Sequence, residues 1–261
     1  MQIWKDIYSY RELLKTNVKK DIRGKYKGSF LGVLWSFLNP LLQVVVYWIV
    51  FPFIMGKAGT ADNYLCYLVT GIIPWTFFTS VVNAGTVAMV TNAGIIKKVY
   101  FPREILLISQ SLSGIINFFI SCIIVVIFCV GTGAGISYHL VLLPVIAVIE
   151  MILSLGVIFI LSAVEVYVQD IEYVIGFILN MGFYATPILY QMSVLDGAGL
   201  LQKIISLNPF TVLIGGYRDI FMYHRWPDFT GLFLVFILAL IILLIGYCIF
   251  KKLEKGFAEK L

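Results

Sequence analysis

Charge is scarce in this chain. Asp, Glu, Lys and Arg supply 13% of its 261 residues, against about a quarter in ordinary soluble domains. Hydrophobic residues supply 61%, and the mean hydropathy is +0.97. That balance excludes a water-soluble globular enzyme and describes a chain built for lipid. Catalytic motifs are scarce too. There is no GxSxG, no HExxH and no GxxxxGK[ST] phosphate loop, so hydrolytic chemistry, zinc hydrolysis and a nucleotide site within this chain fall away. Histidine occurs twice, at His139 and His224; both fall in loops without a catalytic partner nearby in sequence and read as surface histidines. The four cysteines, Cys66, Cys122, Cys129 and Cys248, show no CxxC or Cys/His spacing. They read as small packing residues rather than a metal site or a disulfide framework, and no metal is expected. The first 27 residues hold eight Lys or Arg and no apolar run, so no cleavable signal peptide is expected. Internal repeats and low-complexity linkers are absent, which leaves one domain, 1–261.

What the chain does have is long uncharged runs. A helix needs about 20 apolar residues to cross the hydrocarbon core, and six stretches qualify: 32–55, 64–90, 105–130, 140–164, 173–190 and 229–250. The third and fourth come from one run too long for a single crossing, split by the turn-rich GTGAGISYH at 131–139. The expected fold class is an all-α integral membrane protein with six transmembrane helices. An even number puts both termini on one side. Fifteen of the nineteen Lys and Arg then share that side, and Lys57, Lys203, Arg218 and Arg225 lie on the other. The positive-inside rule places both termini, and the loop at 91–104, in the cytosol.

Two further segments belong to the membrane without spanning it. In the arm 1–31, Tyr10, Leu14, Val18, Ile22 and Tyr26 recur every four residues, with Arg11, Lys15, Lys19, Lys20 and Arg23 around them. This predicts an amphipathic interfacial helix at the inner leaflet, or more simply a basic arm on anionic headgroups. On the outer side, 196–228 holds apolar pieces too short to span. Asn208 and Pro209 form a helix start, and Phe210, Leu213, Ile214, Tyr217, Ile220 and Phe221 form a stripe behind it. Two short re-entrant helices are expected, because membrane-buried backbone must be helical or covered by protein.

Polarity inside the spans falls in stripes. Ser36, Asn39, Gln43 and Tyr47 share one face, Thr76, Thr79, Ser80 and Asn83 another, and Phe177, Asn180 and Tyr184 a third. They are either hydrogen-bonding glue between helices or a polar pathway. Uncharged amides, hydroxyls and ring faces suit a sliding sugar polymer and make poor proton relays. Glu150 is the one acid well inside a span; it is either a functional carboxylate or a protonated group bonded to a neighbouring helix. Trp48, Phe51 and Phe53 read as an interfacial aromatic belt, and Pro40 and Pro52 as kinks.

The loop TNAGIIKKVYFPRE at 91–104 sets Lys97, Lys98, Arg103 and Glu104 around Val99, Tyr100, Phe101 and Pro102. Topology alone accounts for the lysines. It does not account for three consecutive apolar residues before a proline in a solvated turn, which read instead as a contact anchor for a partner.

Five segments then occur in order: DIRGKYKGSFLGVLWSFLNPLLQ (21–43), LVTGIIPWTFF (68–78), NAGIIKKVYFPREILLIS (92–109), LSAVEVYVQDI (161–171) and LNPFTVLIGGYRDIF (207–221). Together they resemble the membrane subunit of ABC exporters for cell-surface polysaccharides and polyol phosphates, of O-antigen, capsule or teichoic-acid type. The resemblance runs through essentially the whole chain. It implies a permease half-transporter, not itself an enzyme, in a bacterial plasma membrane. A second copy would complete the channel, and two cytosolic ABC ATPase subunits would hold the ATP and Mg, with no cofactor in this chain and no nucleic acid involved. The segment 92–105 would be the coupling helix, with Val99, Tyr100 and Phe101 as buried anchor and Lys97, Lys98 and Arg103 as rim. The re-entrant segment, with Asn208, Pro209, Phe210, Tyr217 and Arg218, would be the outer gate. Spans one and five would line the channel through Ser36, Asn39, Gln43, Tyr47, Phe177, Asn180 and Tyr184. An undecaprenyl-type lipid-linked glycan would be drawn in by its pyrophosphate near Arg23, Lys25 and Lys27. Family members often read Asn-Val-Tyr-x-Arg-Asp-Ile after span four; here Glu165 and Gln169 stand at the Asn and Arg places, so no role of that arginine carries over. The alternatives are an ABC permease for a small amphiphile or drug, a secondary transporter using Glu150, and a membrane-embedded transferase, for which candidate residues are too few.

Overall fold

The computed structural model describes residues 9–24, 35–55 and 63–261. Among the described residues all regular structure is helical. In chain order the helices are α1 (Arg11–Gly24), α2 (Trp35–Met55), α3 (Tyr64–Thr86), the short α4 (Ala88–Thr91) and α5 (Ala93–Ile96), α6 (Glu104–Gly131), α7 (Leu143–Glu165), α8 (Ile171–Tyr184), α9 (Leu200–Leu207), α10 (Pro209–Arg218), α11 (Phe229–Leu253) and α12 (Phe257–Lys260).

Among the described residues four stretches are long and apolar enough to cross a membrane: Tyr64–Thr86, Glu104–Gly131, Tyr138–Glu165 and Phe229–Gly256. Two shorter apolar helices, Leu38–Phe51 within α2 and Ile171–Tyr184, accompany them. The stretch expected at 173–190 therefore differs from a full span. With 14 residues, α8 is about 21 Å long, short of a hydrocarbon core of about 30 Å. Its helix stops where the Thr186 hydroxyl bonds back to the Gly182 carbonyl at 2.8 Å and Pro187 supplies no N–H to continue the ladder.

Helix α3 is the trunk of the molecule. In its most apolar window 78% of the residues are buried, against 22% for α11, so α3 stands inside the bundle and α11 at its surface. Four of its hydroxyls bond within the helix: Thr70 to the Cys66 carbonyl, Thr79 to Trp75, Ser80 to Phe77 and Thr86 to Val82. The stripe of Thr79 and Ser80 is thus intrahelical, and Asn83 is exposed.

Helices α7 and α11 make the closest approach. A Cβ on Gly246 would collide with the Gly156 carbonyl oxygen, and one on Gly156 would lie 2.7 Å from the Leu243 nitrogen. Backbone thus packs on backbone there, as small residues permit in lipid. Helix α1 lies along α6, where Leu14, Val18 and Ile22 share an apolar cleft with Leu112 and Ile116. Arg11, Lys15, Lys19 and Lys20 remain exposed along it, with Lys15 and Lys19 bordering that cleft, giving an amphipathic helix.

Candidate functional site

The basic end of the bundle carries the loop that the sequence singled out. After α4 and α5 the chain turns through Lys97–Val99, runs without regular structure through Tyr100 to Pro102, and re-enters helix at Glu104. The three candidate anchors divide. Phe101 is 5% exposed and packs into the protein's own core with Ile96, whereas Tyr100 is 93% exposed and Val99 58%. Ile95 is also exposed, and Lys97 and Lys98 flank it in solvent. An apolar knob within a basic rim therefore faces outward, seated on Phe101 and half-buried Pro102.

Arg103 and Glu104 are not part of the free rim. The Glu104 carboxylate pairs with Lys251, which also donates to Glu254 at 3.0 Å. Arg103 donates to the Glu254 carbonyl, and its guanidinium lies 5.6 Å from the centre of the Phe257 ring. Tyr167 donates to the Leu253 carbonyl at 2.8 Å. The basic loop, the turn after α7 and the C-terminal tail thus form one layer. The two residues that depart from the family pattern separate here. Glu165 is buried and its Oε2 accepts from the Glu172 N–H at 2.9 Å, capping the start of α8, while Gln169 is exposed.

Nearby, Lys20 and Asp21 of α1 close a polar cleft of about 280 Å³ with Ser80, Gln110, Ser113 and Asn117. Burial holds the Asp21 carboxyl above the usual range, opposed by Lys20 and by hydrogen bonds to Gln110 and Ser113. Lys25 and Lys27, and the side chain of Arg23, lie outside the described residues.

Helices α2 and α8 meet through Tyr47 and Phe183, whose ring centres are 5.7 Å apart. Asn39 of α2 and Phe177, Asn180 and Tyr184 of α8 are exposed, and half-buried Gln43 donates to the Tyr47 hydroxyl at 3.3 Å. The side chain of Ser36 lies outside the described residues. Trp48 and Phe53 are exposed at one end of α2.

At the far end, α9 and α10 form a helical hairpin whose depth can be read against α3. Phe210, at the start of α10, lies 4.3 Å from the Phe78 ring and 5.1 Å from Trp75; Arg218, at its end, lies over Tyr67 at 3.4 Å. From Tyr67 to Phe78 is about 16 Å along α3, so the hairpin tip penetrates well into the bundle before α10 climbs back. Asn208 makes the tip: its side chain accepts from the Phe210 N–H at 3.0 Å and donates to the Thr186 hydroxyl at 2.9 Å. Proline at the first helical position completes the start.

Two buried side chains anchor α10. Tyr217 donates to Glu150 Oε2 at 2.8 Å with both residues fully buried. Arg218, 5% exposed, donates to the carbonyls of Pro187 at 2.7 Å and Ile188 at 2.9 Å. Tyr64 and Tyr67 donate to the carbonyls of Leu189 and Tyr190. The non-helical stretch 186–190 thus has its carbonyls capped by three side chains, which lets irregular backbone lie inside a membrane bundle. Sequence reasoning missed this arrangement; the signal that could have found it is Pro187 in an apolar run followed by the isolated Arg218. Glu150 is the reverse of a relay group, being enclosed and held by one hydroxyl. His139 is a correction: it is 5% exposed, bonded to Ser137 and packed between Tyr138 and Trp226 rather than on the surface. Among the described residues no cluster of His, Cys, Asp or Glu could hold a metal.

Residues 12–222 match the family described as ABC-2 type transporter. The chain is 30% identical over 261 residues, all of both chains, to the O-antigen export system permease protein RfbA of Myxococcus xanthus. It is 32% identical over 249 residues to the protein of the same name from Klebsiella pneumoniae, covering 95% of this chain and 94% of that one. A shorter likeness, 28% over 76 residues, links it to the polysialic acid transport protein KpsM of Escherichia coli, covering 29% of this chain and 30% of that one. With a family match over most of its length and full-length relatives at this identity, the chain belongs to the ABC-2 type transporter membrane family.

Proposed function

We propose that this chain is the permease half of an ABC exporter that moves a lipid-linked cell-surface polysaccharide, of O-antigen, capsule or teichoic-acid type, out across the bacterial plasma membrane. The end-to-end likeness to O-antigen export permeases carries the reading. The basic end faces the cytosol with both termini, in keeping with the positive-inside bias. A cytosolic ATPase subunit, which holds ATP and Mg, seats Tyr100, Val99 and Ile95 in a groove, with Lys97 and Lys98 at its edge; exposed aromatic knobs are typical interface anchors. A second copy faces the α2–α8 surface, and the conduit between the copies is lined by Asn39, Gln43, Phe177, Asn180 and Tyr184. Stacking on rings and exchange of hydrogen bonds with amides let a polyhydroxyl chain slide without a deep binding minimum. The α9–α10 hairpin closes the outer mouth until the ATPase moves α3 and its partners. The basic face of α1, continuing toward Arg23, Lys25 and Lys27, attracts the pyrophosphate of the lipid carrier.

Reconstitution with its cognate ATPase in vesicles tests this. ATP-dependent movement of a lipid-linked polymer, and none of a small amphiphile, is the expected result. A chain that neither binds the ATPase nor needs it for transport rejects the reading.

A further inference from the structure

Cys66 and Cys129 are 63 positions apart, and no local spacing links them. The fold sets their sulfur atoms 2.9 Å apart, closer than two unbonded sulfurs rest, and a disulfide of roughly 2.05 Å needs less than about 1 Å of further approach. Both side chains are buried, at 0% and 1% exposure. Cys66 is in the first turn of α3 and Cys129 in the last turn of α6. One turn further out, Asn63 donates to the Thr132 hydroxyl at 2.9 Å, so the antiparallel register of the two helix ends is fixed by a neighbouring pair. Proximity of the sulfurs and a fixed register thus both favour a cross-link.

We propose that Cys66 and Cys129 are joined by a disulfide bond in the mature protein, a covalent modification that ties the far ends of α3 and α6. The bond needs an oxidising compartment, and in this respect it rests on the orientation given above, which puts these ends outside the cytosol. The chemistry is thiol–disulfide exchange with a disulfide-bearing oxidant, a protein or small molecule at the outer face. One cysteine thiolate attacks the oxidant's S–S bond and releases one of its sulfurs as a thiol. The second cysteine thiolate then displaces the other, so two electrons and two protons leave the pair and the oxidant leaves as two thiols. The packed thiols have no surface, so exchange is completed while the helix ends are still open during assembly.

Counting thiols on the full chain in its native membrane tests the bond. Membranes are quenched in acid, denatured and labelled with a maleimide polymer, with and without prior reduction. The expected result is two labels, on Cys122 and Cys248, rising to four after reduction, and a non-reduced digest in which the Cys66 and Cys129 peptides migrate as one. Cys129→Ser should take three labels under both conditions. Four labels in the unreduced wild-type protein overturn the proposal, whether or not diamide, which accepts the two thiol hydrogens, can then bring the number to two. Lys98→Cys, labelled with an impermeant maleimide on intact cells, separates this failure from that of the orientation. A protected Lys98→Cys with four wild-type labels rejects the disulfide alone, while a labelled Lys98→Cys rejects the orientation and the compartment argument with it.

Discussion

Tyr217 and Glu150 share a 2.8 Å hydrogen bond with neither residue exposed, and it ties the α9–α10 hairpin to α7. Removing the donor with Tyr217→Phe leaves a buried carboxyl unpaired. The expected cost is about 1–3 kcal/mol, read as a lower unfolding midpoint of the purified protein in detergent. Glu150→Gln keeps an acceptor for the hydroxyl and should retain most export. Abolished export in a well-folded Glu150→Gln protein would favour a transporter that uses this acid.

Neighbouring positions of the basic loop should behave oppositely. Tyr100 is almost fully exposed, so Tyr100→Asp should leave folding unchanged while sharply weakening ATPase co-purification. Phe101 is buried, and Phe101→Ala should cost about 3–5 kcal/mol, read as loss of folded protein from the membrane. If both variants fold and both lose the ATPase equally, the division between knob and seat is wrong.

Arg218 caps two carbonyls with one planar group stacked on Tyr67. Lysine keeps the charge but cannot reproduce that fork. Arg218→Lys should destabilise the stretch 186–190 by on the order of 3 kcal/mol, seen as faster amide exchange confined to that stretch and α10. Exchange at the wild-type rate would show that the carbonyls have other partners.

Small residues give a pair of opposite outcomes. Gly246→Val drives a side chain into the Gly156 backbone and should cost about 3 kcal/mol, near the upper end of overpacking losses. Gly94 has open space around its Cβ direction and a helical setting. Gly94→Ala should therefore be neutral or stabilising by up to about 1 kcal/mol. Thermal unfolding of the two purified variants checks both.

Much of this was legible in the sequence, and unevenly so. Hydropathy marked the four stretches that form long apolar helices among the described residues, because a lipid-crossing segment must be both apolar and about 20 residues long. Asn208 followed by Pro209 marked the start of α10, since capping is local chemistry. The failures are long-range. Nothing near Phe101 tells it from Tyr100, because which of two adjacent loop residues turns inward depends on the core beneath. The stop of α8 is local, at Pro187, but the groups that hold the carbonyls of 186–190 are Arg218, Tyr64 and Tyr67, arriving from other elements. The Cys66–Cys129 approach and the seat of Arg103 on the tail likewise join residues more than sixty positions apart. Composition reports what a segment can tolerate, and only the fold reports what it meets.

Helix α3 begins at the tyrosines that hold the carbonyls of 186–190 and ends where the basic loop departs. One 23-residue rod, about 34 Å long, therefore links the two ends of the molecule, with Pro74 as its internal break in hydrogen bonding. A thrust applied at one extremity arrives at the other unless the rod flexes at that proline. Its stiffness there sets how closely the two ends move together.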